Sequence, residues 1–227
     1  MNHPLPKRLV AEALGTAMLL TAVVGSGIMG ERLAAGNVAI ALLANSIATG
    51  GALVVLILIF GPLSGAHFNP VVTLAEAWQK GISWNEAPAY VFAQIAGAFA
   101  GAGVANLMFE LPVFFVSRHA RNGRAQVFSE FVATFGLLAV IWGCTRFRSS
   151  AVPAAVAAYI MSACWFTTST SFANPAVTLA RSVSDTFAGI RPVDAPAFIM
   201  AQVAGAAAAT ALFRWLIPSV PKGNADE

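Results

Sequence analysis

Charge is scarce in this sequence. Of 227 residues only 10% are Asp, Glu, Lys or Arg, against the ~25% of a typical soluble domain, so a water-exposed globule is excluded at once. Histidine and cysteine are rarer still, at three and two. Cys144 and Cys164 both lie inside apolar runs, where a thiol behaves as a small hydrophobe. Neither a disulfide nor a metal pair is read from them. His67 is the only histidine in an apolar segment and has no Cys, Asp or Glu at ligand spacing. No metal site follows, and with no Ser/His/Asp set at usable spacing, no catalytic site either. No cofactor is expected. The net charge of +3 is spread over loops and ends, without the basic stripe and interleaved aromatics of a nucleic-acid binder.

What the chain does have is apolar length. Six stretches, near 9–29, 38–60, 87–109, 127–147, 151–168 and 195–217, are each close to the roughly 20 residues needed to cross a bilayer core. Polar punctuation separates them at 30–32, 80–81, 117–124, 146–150 and 181–194. Lys7-Arg8 before the first run has the look of a secretory signal, but Glu12 inside the run and the repeat below make it a retained span. Two further apolar segments begin at Asn69 and Asn174 and last only about ten residues, too short to cross. Each opens on Asn-Pro, which reads as a helix start. Proline at the first helical position has a preset φ and no N–H to orphan, and the asparagine can cap. They are candidates for half-membrane helices dipping in from a loop.

The two halves repeat each other. Residues 64–75 read SGAHFNPVVTLA and residues 169–180 read STSFANPAVTLA. Glu12-Ala13-Leu14-Gly15-Thr16 matches Glu130-Phe131-Val132-Ala133-Thr134, and Gln94-Ile95-Ala96-Gly97-Ala98 matches Gln202-Val203-Ala204-Gly205-Ala206. The reading is one transmembrane domain, 1–227, with repeat 1 about 5–112 and repeat 2 about 125–218. Three spans per repeat is an odd number, so the second repeat sits upside down, which places a site at mid-membrane where broken helices meet. The fold class is therefore an all-α membrane protein of six transmembrane helices and two re-entrant half-helices in an inverted repeat. Gly97-x-x-x-Gly101 and Gly205 suit close helix packing. The basic residues divide seven to six between the two faces, with Lys222 among the seven, and do not orient the chain. An even number of spans puts both termini on one side.

Paired asparagine boxes on inverted repeats, each preceded by a glutamate in the first helix of its half, resemble the aquaporin/aquaglyceroporin (major intrinsic protein) family over essentially the whole chain. The resemblance implies an aquaporin-like fold, one narrow pore per subunit, a homotetramer, and a multi-pass inner-membrane location with cytoplasmic termini. It implies that Asn69-Pro70-Val71 and Asn174-Pro175-Ala176 meet at the pore centre and that the two asparagines donate amide hydrogens to passing solute. The positive ends of the half-helices then repel cations. Val71, where the family has alanine, is expected to pack behind the asparagine.

Glu12 and Glu130 have two readings. A carboxyl at membrane depth is a functional candidate by default, here a proton relay. The family reading makes both structural, accepting hydrogen bonds from the loops that lead into the half-helices, and their symmetric placement favours it. His67 is placed in the same loop support. A family arginine normally follows the second box; here that position is Val177. By family spacing the rest of the constriction is Thr49, Ser162 and Ser171, with Ala163 replacing Ser162 if one residue is inserted. Thr, Ser, Ser and Val make a wide opening without a fixed charge. The alternative is that Arg181 or Arg118 swings into the gap and restores a narrow filter.

Chains of this family with valine at this position resemble the channels of bacterial arsenic-resistance operons. That resemblance points to small neutral solutes, arsenous acid and methylated arsenicals, with glycerol and water secondary. The alternatives are an ordinary water or glycerol channel and a secondary transporter. The latter needs a coupling-ion site, and the spans hold only Glu12 and Glu130 as acids.

Overall fold

The computed structural model describes residues 3–217; Lys222 and the last residue assigned to repeat 2 lie outside them. Among the described residues the order is α1 (Leu5–Leu33), α2 (Val38–Ser64), α3 (Pro70–Trp78), α4 (Ala87–Met108), α5 (Arg124–Phe147), α6 (Val152–Phe166), α7 (Pro175–Arg181) and α8 (Ala195–Leu216), with one 3-10 turn, Ser149–Ala151, before α6. Long, long, short, long occurs twice. Six helical spans among the described residues, the fifth being α6 together with the 3-10 turn before it, are long and apolar enough to cross a membrane. Their outer surfaces carry large exposed hydrophobics such as Phe92, Met200 and Trp215, each more than 70% exposed. Apolar cover on that scale is stable only against lipid or other apolar surface.

Local chemistry sets the ends. Proline occupies the first turn of α1, α4, α6 and α8, where its missing N–H costs nothing. Asn37 caps α2 by accepting from the amides of Ala39 and Ile40 (3.1 and 3.2 Å). Gly65 ends that helix at φ +92°, a conformation that favours glycine.

Within each half, α1 packs on α2 and α4, and α5 on α6 and α8. The halves join through α2 against α6. The short helices cross over, α3 packing on α4 and α8, and α7 on α8 and α4. Close approach is bought by small residues. A Cβ on Gly97 or Gly101 would run into the backbone carbonyls of Ala13 or Ala17, and one on Gly205 into that of Phe131. Backbones this close gain dispersion contacts, which drive association where lipid removes the hydrophobic drive.

Two faces follow from the order of helices. On one, near both described ends, Arg8 is buried and bonds Glu86 (2.9 Å) and the Tyr90 hydroxyl (2.7 Å), while Arg214 donates to the Trp78 carbonyl. This is the terminal face. On the opposite face the chain between α4 and α5 pairs with the chain after α7, Phe115 N–H to the Val183 carbonyl (3.0 Å) and Ser117 N–H to that of Ser182 (2.9 Å).

Candidate pore and its filter

The site begins with two loops that helices alone would not hold at this depth. Three residues and one residue before each asparagine, the backbone is left-handed without glycine: Ala66 (φ 50°) and Phe68 (50°) before Asn69, Ser171 (52°) and Ala173 (48°) before Asn174. Such residues cost roughly 1–3 kcal/mol each and persist only where the surroundings over-determine them.

The surroundings are the two glutamates. Glu12 is fully buried and accepts from Ser64 Oγ (2.6 Å), His67 N–H (3.0 Å), Phe68 N–H (2.8 Å) and Gln94 Nε2 (2.8 Å). Glu130, equally buried, accepts from Phe172 N–H and Ala173 N–H (both 2.9 Å) and from Gln202 Nε2 (2.6 Å). A carboxylate accepting two backbone amides and a side-chain amide is a full acceptor set, which is what a buried carboxylate needs. Each glutamine donates again to the threonine four residues after the asparagine, Thr73 (2.8 Å) or Thr178 (2.9 Å). His67 joins through Nδ1 to Thr73 Oγ1 (3.0 Å). Its equivalent in the second half is Phe172.

The asparagines follow. Asn69 Oδ1 caps α3 on Val71 N–H (3.1 Å), and Asn174 Oδ1 caps α7 on Ala176 and Val177 N–H (2.9 and 3.3 Å). Capping fixes which way the amide nitrogens point. Asn69 Nδ2 donates to the Ala173 carbonyl and Asn174 Nδ2 to the Phe68 carbonyl, both at 2.8 Å. Each half thus locks the other, and each amide keeps one N–H for the cavity it lines. Val71 is 2% exposed and outside the cavity lining.

That cavity is about 180 Å3 and runs past both boxes. One buried water needs only ~10–15 Å3, so the cavity has room for several waters or one small solute. Its wall is a set of four-residue stripes: Asn45, Thr49, Leu53 and Ile57 on α2; Leu137, Ile141 and Thr145 on α5; Val152, Val156, Ile160 and Cys164 on α6. The half-helices add Asn69, Val72 and Glu76 from α3, and Asn174, Val177 and Arg181 from α7. Mostly apolar walls with a few fixed polar groups let a neutral hydroxylated molecule slide between donors without being trapped.

Of the four constriction residues expected from sequence, Thr49, Ser171 and Val177 line the cavity and Ser162 does not. Ser162 is exposed on the outside of α6 and spends its hydroxyl on the Ala158 carbonyl (2.8 Å). The reason is helical phase. The α6 wall stripe is 156, 160, 164, and a residue two before Cys164 points to the far side of the helix. Ala163, the other option, is fully buried but off the wall. Cys164 is the residue of this stretch of α6 that lines the cavity, and the four-residue rhythm from Val152 was the signal that could have found it. Ser171 Oγ is buried and has no hydrogen-bond partner among the described residues.

The constriction is not without charge nearby. Arg181 is 6% exposed, lies on the wall one turn outward of Val177, donates from Nε to the Ala188 carbonyl, and places Cζ 3.4 Å from the Phe172 ring centroid. Arg121 flanks the same ring at 5.0 Å and is tied to the carbonyls of Gly189 (2.7 Å), Phe187 (3.2 Å) and Ser169 (3.3 Å). Burial pulls its guanidinium down to about 10, still cationic at neutral pH. Arg118 is elsewhere: its side chain is 90% exposed and paired to Asp185 at 2.8 Å.

One consequence is directly testable. Cys164 is the thiol on the wall; Cys144 is not on it. A mercurial should therefore remove most of the flux, a thiol reductant should restore it, and Cys164→Ser should conduct and ignore the mercurial, all read by light scattering in proteoliposomes.

Comparison with known proteins agrees with this geometry. The Major intrinsic protein family model matches residues 2–165 and again 143–226. Aquaglyceroporin AqpS of Rhizobium meliloti (strain 1021) is 56% identical over 213 residues, 94% of this chain and 91% of its own. Nodulin-26 of Glycine max is 37% identical over 63% of this chain and 52% of its own. The crystal structure of the aquaglyceroporin from Plasmodium falciparum superposes with a TM-score of 0.73 at 21% identity, covering 95% of this chain and 98% of that one. The chain belongs to the major intrinsic protein family: it is an aquaglyceroporin-type, multi-pass membrane channel for small solutes, passive and not an enzyme.

Proposed function

We propose that this channel carries arsenous acid and methylated arsenicals, with glycerol and water secondary. The observation that supports the reading is Val177. It stands on the wall beside Ser171, with Thr49 and Cys164 as its partners, where a water channel of this family places a large aromatic, a histidine and an arginine. Every one of these side chains is smaller, so the opening admits a bulkier molecule. Arsenous acid is an uncharged trihydroxy solute at neutral pH, which suits walls that are apolar between hydrogen-bonding positions. The 56% identical relative is called an aquaglyceroporin, which is consistent with a neutral polyhydroxy solute.

In this reading Asn69 and Asn174 are the central donors, Pro70 and Pro175 start the half-helices, and Thr49, Cys164, Ser171 and Val177 form the filter. Glu12, Glu130 and His67 hold the loops. The chain works as one transmembrane unit of two inverted repeats, about 5–112 and 125–218. It sits as a homotetramer in the cell inner membrane with cytoplasmic termini.

A second reading has its own observation. Arg181 stacked on Phe172 puts an arginine and an aromatic beside the path, the pairing of an ordinary glycerol channel. Light-scattering flux in proteoliposomes, comparing water, glycerol, arsenous acid and methylated arsenicals, separates the two. The arsenical reading expects arsenous acid and its methylated forms to pass at least as fast as glycerol. Arsenical flux at the level of empty vesicles, with glycerol conducted, makes the protein a glycerol channel.

A further inference from the structure

The two half-helices present matching stripes to the pore, and the stripes end in opposite charges. On α3 the wall residues are Asn69, Val72 and Glu76; on α7 they are Asn174, Val177 and Arg181. In both cases the third residue is seven after the asparagine. Position for position, a carboxylate stands where the other half has a guanidinium.

Arg181 is well placed by ordinary helix physics, because a cation at a helix C-terminus faces the negative end of the dipole. Glu76 is badly placed by the same rule, two residues before the end of α3. It gains no compensation. Lys80, four residues on and the natural partner in a continuing helix, lies past the helix end at φ 65° on the wall of a different hollow, with Arg8 and Arg214. Among the described residues the Glu76 carboxylate takes part in no hydrogen bond and no ion pair, while its backbone carbonyl accepts from Gly81 N–H (2.8 Å). Room for its carboxylate comes from Gly81, since a Cβ there would collide with Glu76 Oε2. An unpaired acid against the dipole, given space by a glycine, is not there for stability.

The field of the pore suggests what it does. Two helix N-termini meet at the centre and Arg181 lines the path, with Arg121 beside it across Phe172. All of these repel cations, and all attract anions. Glu12 and Glu130 are spent on the loop amides behind the wall. Glu76 is the one acidic side chain on the wall among the described residues. We propose that Glu76 is the anion barrier of this channel, a specificity-determining carboxylate at the terminal mouth that offsets the positive interior so that only neutral solutes pass. A monovalent anion entering from the terminal face meets like charge in a low-dielectric throat. One leaving through that face meets it last. In both directions the barrier is the same.

The proposal rests on the channel alone and not on which neutral solute is physiological, so its test uses neither arsenical. Proteoliposomes of the full chain, potassium-loaded with valinomycin at about pH 8 so that a carboxylate is ionised, are challenged with potassium nitrate as the anion probe and with glycerol as the neutral probe. Wild type should pass glycerol and exclude nitrate. Glu76→Gln should raise nitrate flux by on the order of tenfold with glycerol flux kept within about twofold, and Glu76→Asp should stay anion-tight. The glycerol arm shows that the variant is folded and open. Nitrate exclusion unchanged in Glu76→Gln overturns the proposal. So does loss of glycerol flux in that variant, which would make Glu76 part of the fold or of the neutral path.

Discussion

Val177→Arg is expected to cut the flux of methylated arsenicals and glycerol by on the order of tenfold to a hundredfold, the effect of raising the barrier by ~1.5–3 kcal/mol, while water still passes. Val177 is 5% exposed and on the wall, so a longer side chain has no pocket to fill except the path. An arginine there also lies one turn from Arg181, already fixed on Phe172 and the Ala188 carbonyl. Two cations ~6 Å apart at an effective dielectric of 20 repel by roughly 3 kcal/mol, which pushes the newcomer away from Arg181 and across the constriction. Val177→Leu adds bulk without charge and should lose much less. Light-scattering flux for water, glycerol and a methylated arsenical compares both variants with the wild type. Bulky-solute flux in Val177→Arg equal to wild type would sink the wide-filter reading.

The second large effect is on the fold. Glu12→Ala removes the acceptor for two loop amides, one serine hydroxyl and Gln94. Breaking a buried charged network by deleting one partner costs about 3–5 kcal/mol, and the strained loop residues Ala66 and Phe68 lose what holds them. Glu130→Ala should match it, through Phe172, Ala173 and Gln202. Gln keeps one acceptor oxygen and turns the other into a donor facing donors, so Glu12→Gln should fall between. The measurement is the thermal unfolding midpoint in detergent together with the yield of monodisperse protein. A proton relay predicts a different pattern: Glu12→Gln as stable as wild type, with a change in proton-coupled flux only.

These two cases also mark how far the sequence could be read. Spans and half-helices were legible because bilayer thickness and the Asn-Pro signal leave few options: the short helices begin at Pro70 and Pro175 as read. Of the long ones, α1, α2 and α5 run a few residues past the apolar stretches, as where Pro6-Lys7-Arg8 and Glu31-Arg32 continue α1, while α4, α6 and α8 stop slightly inside them. Glu12 and Glu130 were legible because one carboxylate in each half preceded one box. What failed was azimuth. Counting from Asn174 gives Ser162, and a two-residue shift in a helix turns a cavity-lining residue into an outward-facing one. The charged ends of the stripes were hidden for a related reason. Spacing leaves Arg181 only an alternative because a side chain's rotamer is set by tertiary partners, here Phe172 and the Ala188 carbonyl, that lie in a loop no periodicity describes. The left-handed Ala66, Phe68, Ser171 and Ala173 gave no signal either, since a network imposes their backbone and not their own propensity.

The central claim is that an open, passive path runs between the two asparagine boxes. Uptake of glycerol into proteoliposomes as a function of its gradient, with and without an imposed proton or sodium gradient, tests it most directly. The account predicts a rate that rises linearly with the glycerol gradient and ignores both ions. A rate that saturates and is driven by either ion would contradict it.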